Sequence, residues 1–459
     1  MSLTTQAPRP TTSRAVLERA WQTMQDLAAP APDRYVSLTA AGLHETVALV
    51  RQAVLAHGAG GRRRVPSAGA IFPYAPYVLC TTGPDGRWTL LRVDEAEPHG
   101  SAVLVDVPQP DLDRLAARCG PDPSVVHVLL LVRPWLSIRK YGPRGYLYSM
   151  IDAAHAATNL LGVAQQEVRG AHLRLLGGGD GELAAHLPFQ EVHSVVTLPV
   201  DDRPQREATV RVEAVATARD RTGDYERVPW TEVVRPFQAT HTRERLATAP
   251  MVALPATDVP RDALLADWST WSERRRSARS FADRPVDVRQ LADVVGALAT
   301  PLPTNLPRTP EVSATVVLAR TPVGDLAAVR AVADVHTPDG DVRPQDVVRA
   351  CMGQRHVASA AAFLVLHAPR QSVLGDGAQQ DARDALFRCG AAAQLTYLGA
   401  ARAGLGVFTI GGFVQSTWRR LAGLTPEHEV LCLLALGPEE SEHTPRADRR
   451  EPAEAHGER

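Results

Sequence analysis

One run of small and apolar residues occurs twice, and it limits the chain to folds built on a repeated, closely packed helix. Asp152-Ala153-Ala154-His155-Ala156-Ala157-Thr158-Asn159 can be laid on Arg388-Cys389-Gly390-Ala391-Ala392-Ala393-Gln394-Leu395. Side chains this small let two helices approach closely. The pattern predicts helices over 152–166 and 383–403, each after an apolar strand and before a loop and a final strand. Two related α+β halves, each on the order of 200 residues, are the economical reading of such a repeat.

The remaining periodicities fill in both halves. Apolar spacing of three and four predicts helices over 15–27, 42–55, 263–276 and 288–298. Strands are expected over 77–81, 87–93, 125–132 and 193–200, and again over 313–319, 361–367 and 429–436. Residues 1–13 are polar and rich in Pro and Thr, and are expected to be disordered. The first half then runs over 14–239, a linker with Pro250, Pro255 and Pro260 over 240–261, and the second half over 262–437. A tail of Glu, Arg and Pro over 438–459 is expected to be extended or disordered.

Charge and cysteine usage exclude several classes of function. The formal net charge is −1, so no basic field calls for nucleic acid or an anionic membrane. The five cysteines are scattered without paired spacing, which suits a reducing cytoplasm and leaves no structural zinc site. No His/Cys/Asp cluster has metal-ligand spacing, so no metal is expected. The N-terminus has no apolar signal core and no run reaches transmembrane length, so a soluble, cytoplasmic protein is expected.

The chemistry-bearing stretches are few. Lys140 is the only lysine in the chain; the other 49 of its 50 basic residues are arginine. Arginine stays protonated, whereas a desolvated lysine can become a neutral base. A single lysine beside Tyr141 suggests proton transfer, though one lysine can also survive by chance in an arginine-biased chain. In Arg275-Arg276-Ser277-Ala278-Arg279, alternate residues of an extended chain would bring two guanidiniums and a hydroxyl to one spot. That would suit a phosphate; a solvated basic turn is the other reading. Ile410-Gly411-Gly412 can lay bare backbone against a planar ligand, or simply turn the chain. Pro66-Ser67-Ala68-Gly69 is a tight loop with a hydroxyl and free N–H groups. His155 reads as a packed interface histidine. Gly177-Gly178-Gly179-Asp180-Gly181 lacks the Lys-Ser/Thr of a phosphate loop and reads as a tight turn.

In their order and spacing, the segments at 66–77, 140–164, 275–281, 390–413 and 429–437 resemble the nitroreductase superfamily of FMN-dependent enzymes. The resemblance implies an α+β fold of two nitroreductase-like halves, each a mostly antiparallel sheet flanked by helices, fused as a pseudo-two-fold dimer. It implies FMN held between the halves by Arg275, Arg276, Ser277, Arg279, Ile410, Gly411 and Gly412 from one side. From the other side come Pro66, Ser67, Ala68 and Gly69. Arg449 in the tail would close over the phosphate as basic residues near the family's C-terminus do, or belong to a solvated charge run. Each half has lost the elements the other keeps: Arg174-Leu175-Leu176 stands where an Ile-Gly-Gly would be, and Pro301-Leu302-Pro303-Thr304-Asn305 where a Pro-Ser loop would be. One FMN per chain is therefore expected.

Arg139-Lys140-Tyr141-Gly142, with Arg144-Gly145-Tyr146 after it, resembles the azoline dehydrogenase branch of that superfamily. This branch oxidises thiazolines and oxazolines in ribosomally made peptides. The resemblance implies that FMN accepts the hydride, that Lys140 and Tyr141 are catalytic and handle the proton, and that dioxygen is the final oxidant. Burial of the amine beside the flavin would make it a base. The implied partners are an azoline-containing precursor peptide and a cyclodehydratase or leader-binding protein, with further homodimerisation open. The alternatives are an NAD(P)H-dependent flavin reductase of nitro, quinone or enone groups, and a flavin-free scaffold that binds the peptide or its cyclodehydratase.

Overall fold

The computed structural model describes residues 34–57, 63–93, 102–176, 183, 186–187, 190–200, 205–213, 245–255, 266–338, 342–375 and 379–440. The helix expected over 15–27, the ends of the chain and the glycine run at 177–181 lie outside them.

The first half begins with β1 (Arg34–Ala41) and α1 (Leu43–Val50). It continues through β2 (Tyr74–Thr82), β3 (Arg87–Val93), β4 (Ala102–Val105), α2 (Gln109–Cys119) and β5 (Val125–Val132). Two consecutive helices follow, α3 (Pro134–Tyr141) and α4 (Arg144–Glu167). Strands β6 (His172–Leu175), β7 (Glu191–Pro199) and β8 (Gln205–Glu213) complete it. Beyond come β9 (Ala247–Ala249), α5 (Trp268–Arg274), α6 (Val288–Gly296), β10 (Leu302–Thr304) and β11 (Ser313–Leu318). The chain then forms α7 (Ala327–Arg330), β12 (Asp334–His336), α8 (Pro344–Ala350), β13 (Ala362–Pro369) and α9 (Arg370–Leu374). It closes with α10 (Gln379–Ala403), β14 (Gly406–Thr409), α11 (Gln415–Leu421) and β15 (His428–Gly437).

One strand order occurs in both sheets. The ten-stranded sheet contains β2-β5-β7-β6, and the five-stranded sheet contains β11-β13-β15-β14, antiparallel at every step. In each set the long small-residue helix lies between the second strand and the two that close the order. Central strands such as β5 and β13 are apolar apart from His127 and His367, and buried along nearly their whole lengths, because both of their faces are covered.

The two long helices, α4 and α10, pack on each other where the repeated small residues face. Ala153, Ala154, Ala156 and Ala157 are buried with Ala391, Ala392 and Ala393 in one core. A Cβ on Gly390 would stand 2.5 Å from Ala154 Cβ and from the Ile151 carbonyl oxygen, so only glycine permits this approach. A polar chain crosses the same seam: Trp268 Nε1 donates to Asn159 Oδ1 (2.9 Å), which also accepts from Gln394 Nε2 (3.1 Å). Gln394 Oε1 in turn lies 3.3 Å from His155 Nδ1. His155 is thus packed between the helices, and burial pushes its imidazole down to about 3, keeping it neutral.

Several expectations are revised. Within residues 301–305 lies strand β10, which joins the first half's sheet between β6 and β9. Asn305 is buried and ties this strand down, accepting from Leu175 N (2.9 Å) and donating to Leu175 O (3.2 Å). Part of the expected linker is strand β9, and Ala253 bridges Ser313. Of the expected tail, Pro438 and Glu439 are fastened, with Ala282 N donating to Pro438 O (2.8 Å) and Phe281 bridging Glu439. Strands β1 and β8, paired along their whole lengths, were not foreseen.

Candidate active site between the halves

A cavity of about 860 Å³ opens between the halves, within the size range of cofactor sites. Pro66, Ser67, Ala68 and Gly69 line it from one side and Arg275, Ser277, Ile410, Gly411 and Gly412 from the other. Segments more than two hundred positions apart in sequence therefore share one cavity.

The first-half loop is held from below by a residue that sequence reasoning did not single out. Ser67 Oγ donates to Asp152 Oδ2 (2.6 Å), and Ala68 N donates to the same carboxylate (3.0 Å). Phe72 N closes the loop by donating to Ser67 Oγ (2.8 Å). Gly69, Ala70 and Phe72 all have positive φ, a conformation costly for the two that carry side chains. Asp152 is buried, and burial raises its carboxyl to about 7 against the lowering effect of the Ser67 and Ala68 hydrogen bonds. Its signal in the sequence was its place opposite Arg388 in the repeat.

On the facing wall, the chain after α5 is extended from Arg275 to Ala278, so Arg275 and Ser277 turn inward together. Arg275 is buried, its Nη2 donating to Arg63 O (2.7 Å) and its Nη1 to Ser277 Oγ (3.4 Å). Tyr397 of α10 organises this corner. Its hydroxyl accepts from Thr409 N (3.1 Å) and stands 3.1 Å from Ser277 Oγ, while Arg275 lies over its ring. Ser277 Oγ thus accepts from Arg275 and shares a hydroxyl–hydroxyl contact with Tyr397 at the cavity wall. Gln354 Nε2 donates to Gly412 O (2.8 Å) and pins the glycine pair.

Two of the expected arginines do not reach the cavity. Arg276 faces away and pairs with Glu439 (2.5 Å). The chain bends at Arg279, which breaks the alternation and leaves that side chain exposed. Arg449 lies outside the described residues.

Lys140 and Tyr141 end helix α3. Pro134 starts this helix at a position where a missing N–H costs nothing, and Gly142, at positive φ, stops it with its N–H on Ile138 O (2.8 Å). A Cβ on Gly145 would fall 2.3 Å from the Ser137 carbonyl carbon, so α3 can lie on α4 only over a glycine. Tyr146 Oη donates to the buried Glu191 (2.9 Å) and anchors the pair. These contacts account for the Gly145-Tyr146 pair that follows the lysine. Tyr141 lines the cavity; Lys140 stands at its rim with Nζ 3.5 Å from Gly69 O. The expected burial of the amine is not found: Lys140 is exposed, so the chain's own residues do not desolvate it.

FMN fits this donor set. Gly411 leaves backbone open for a flat ring, and Arg275 and Ser277 supply donors for an anionic end. Among described residues the charged lining is Arg63, Arg144, Arg275 and Asp152, an excess of cations. No group of three metal-ligating side chains occurs among described residues, and no described helix is long and apolar enough to cross a membrane.

The fold is nitroreductase-like, and two comparisons bear on it. Residues 273–438 match the model of the nitroreductase family. A structure from Anabaena variabilis, described as a nitroreductase, superposes with TM-score 0.60 over 94% of this chain and 100% of its own, at 16% identity. Shorter overlaps occur with a Bacillus subtilis protein described as a nitroreductase, at 18% identity, 42% of this chain, 99% of that chain and TM-score 0.28. An NADPH:FMN oxidoreductase from Vibrio harveyi shares 23% identity over 39% of this chain and 71% of its own, with TM-score 0.26. No curated protein matches the chain.

Proposed function

We propose that the chain is an FMN-dependent dehydrogenase that oxidises thiazoline or oxazoline rings of a modified peptide to thiazoles or oxazoles. The match to the nitroreductase family supports flavin oxidoreduction. The finer reading is carried by one observation. A Cβ built on Gly69 would lie 2.3 Å from both Lys140 Nζ and Tyr141 Oη, so the two proton-handling groups converge on the loop that lines the cavity. Aromatising an azoline removes a hydride from one ring carbon and a proton from its neighbour beside a carbonyl. FMN supplies the hydride acceptor and dioxygen takes the electron pair on. Lys140 takes the proton as general base once substrate covers the rim and displaces its water, with Tyr141 as its hydrogen-bond partner. The peptide's leader would be held by a partner protein such as the cyclodehydratase. The recurring strand order supports two fused halves sharing one flavin.

The exposure of Lys140 favours a second reading, an NAD(P)H-dependent flavin reductase that needs no base. Lys140→Ala separates the two. In an azoline oxidase, the two-hydrogen mass loss on an azoline peptide falls by about 100-fold or more while bound flavin is retained. Unchanged mass loss removes the base role; NADPH bleaching of the flavin with turnover of a nitroaromatic establishes the reductase.

A further inference from the structure

Arg279, the third member of the Arg-x-Ser-x-Arg pattern, is exposed and outside the cavity, yet a second guanidinium does line the cavity beside Arg275. It is Arg63, from the opposite half. Its backbone carbonyl receives Arg275 Nη2 at 2.7 Å, so the two residues touch across the seam. The Arg63 guanidinium is held flat over the Phe72 ring, 4.2 Å from its centroid. Phe72 belongs to the loop closed on Ser67, so Arg63 is positioned by the wall of the cavity itself. The buried Tyr74 phenol lies within electrostatic reach of both guanidiniums and of Asp152. Among the described lining residues Arg63 and Arg275 share the cavity with one carboxylate, Asp152, so this corner has a cationic excess. An anion relieves it.

We infer that Arg63 of the first half, in place of Arg279, supplies the second guanidinium to the phosphate of FMN, pairing with Arg275 and Ser277 of the second half. This rests on the flavin reading above. It makes the anion site a joint product of both halves, so that phosphate binding fastens one to the other. Arg63 acts here as a binding residue and takes no part in the redox step.

The test uses two flavins that differ only in the phosphate. Affinities for FMN and riboflavin are measured by flavin fluorescence on apo-protein of the full chain, for wild type, Arg63→Gln and Arg279→Gln. A charge-assisted hydrogen bond lost to a phosphate weakens binding by roughly tenfold or more. Arg63→Gln is expected to weaken FMN by at least that factor and riboflavin by less than about twofold, while Arg279→Gln leaves both within about twofold of wild type. Arg63→Lys keeps the charge and the stem over Phe72, and gives a smaller loss that is again confined to FMN; it carries the test if the glutamine variant misfolds. Equal loss of both flavins in the Arg63 variants would mean a structural role and overturn the inference. A phosphate-specific loss in Arg279→Gln would overturn it too. A wild-type protein that binds neither flavin would instead sink the flavin reading itself, and the inference with it.

Discussion

Asp152 shows how one buried side chain joins the site to the stability of the whole. Its carboxyl is raised to about 7 by burial, well above the ordinary carboxylate value. A folded-state value above the unfolded one means that folding takes up a proton. The resulting stability is complete below about pH 4 and is lost as pH rises through about 7. Asp152→Asn removes this dependence, since the amide cannot ionise. Thermal unfolding of wild type and variant at pH 5 and pH 8 is expected to show wild type losing ground by a few kcal/mol at the higher pH, at about 1.4 kcal/mol per pH unit within the window. A wild type that gains on the variant with rising pH would contradict the assignment. Arg388, at the matching place on α10, does the opposite job: it donates to the Pro250 and Pro307 carbonyls. The repeat thus carries an acceptor at the cavity and a donor away from it.

At the scale of elements, the crossing of α4 and α10 depends on a missing side chain. A Cβ on Gly390 would overlap Ala154 and the Ile151 carbonyl, and neither the backbone oxygen nor the alanine can move aside cheaply. Gly390→Ala is expected to cost about 1–3 kcal/mol and lower the unfolding temperature by several degrees. Gly296→Ala is the control, because nothing lies within 4 Å of its added Cβ and its φ of −56° suits any residue. That variant is expected to be neutral or up to about 1 kcal/mol more stable. Equal effects of the two substitutions would remove the close-approach account. These helices were legible from small-residue periodicity. Helix α3 was not, although Pro134 before an amphipathic turn was a usable start signal. Strands β1 and β8 also went unread, although Val36, Leu38 and Ala40 alternate with polar or exposed residues.

For the whole molecule, the segments at 174–176 and 301–305, read in the sequence as standing where a second glycine pair and Pro-Ser loop would be, are tied into the fold. Asn305 is bonded to both backbone groups of Leu175, and Arg383 Nη2 donates to Leu176 O (3.1 Å). Residues 175 and 305 thus hold each other through both backbone groups of Leu175. Absorbance of the bound flavin against protein concentration is expected to give one FMN per chain. A ratio of two would mean that β10 yields to a ligand.

Repetition and strand and helix periods are local properties and were enough to propose the α+β plan; the set of cofactor elements came from the resemblance of the glycine, serine and arginine segments to a known family. Tertiary structure decided which of those side chains meet. It turned Arg276 outward to Glu439, bent the chain before Arg279 could follow Arg275 and Ser277, and left Lys140 at a rim. It also brought in Arg63, Asp152 and Tyr397, whose roles come from neighbours 85 to 212 positions away. No window of sequence contains such a neighbour; whether a charge is buried, and against what, is fixed only when the two halves close on each other.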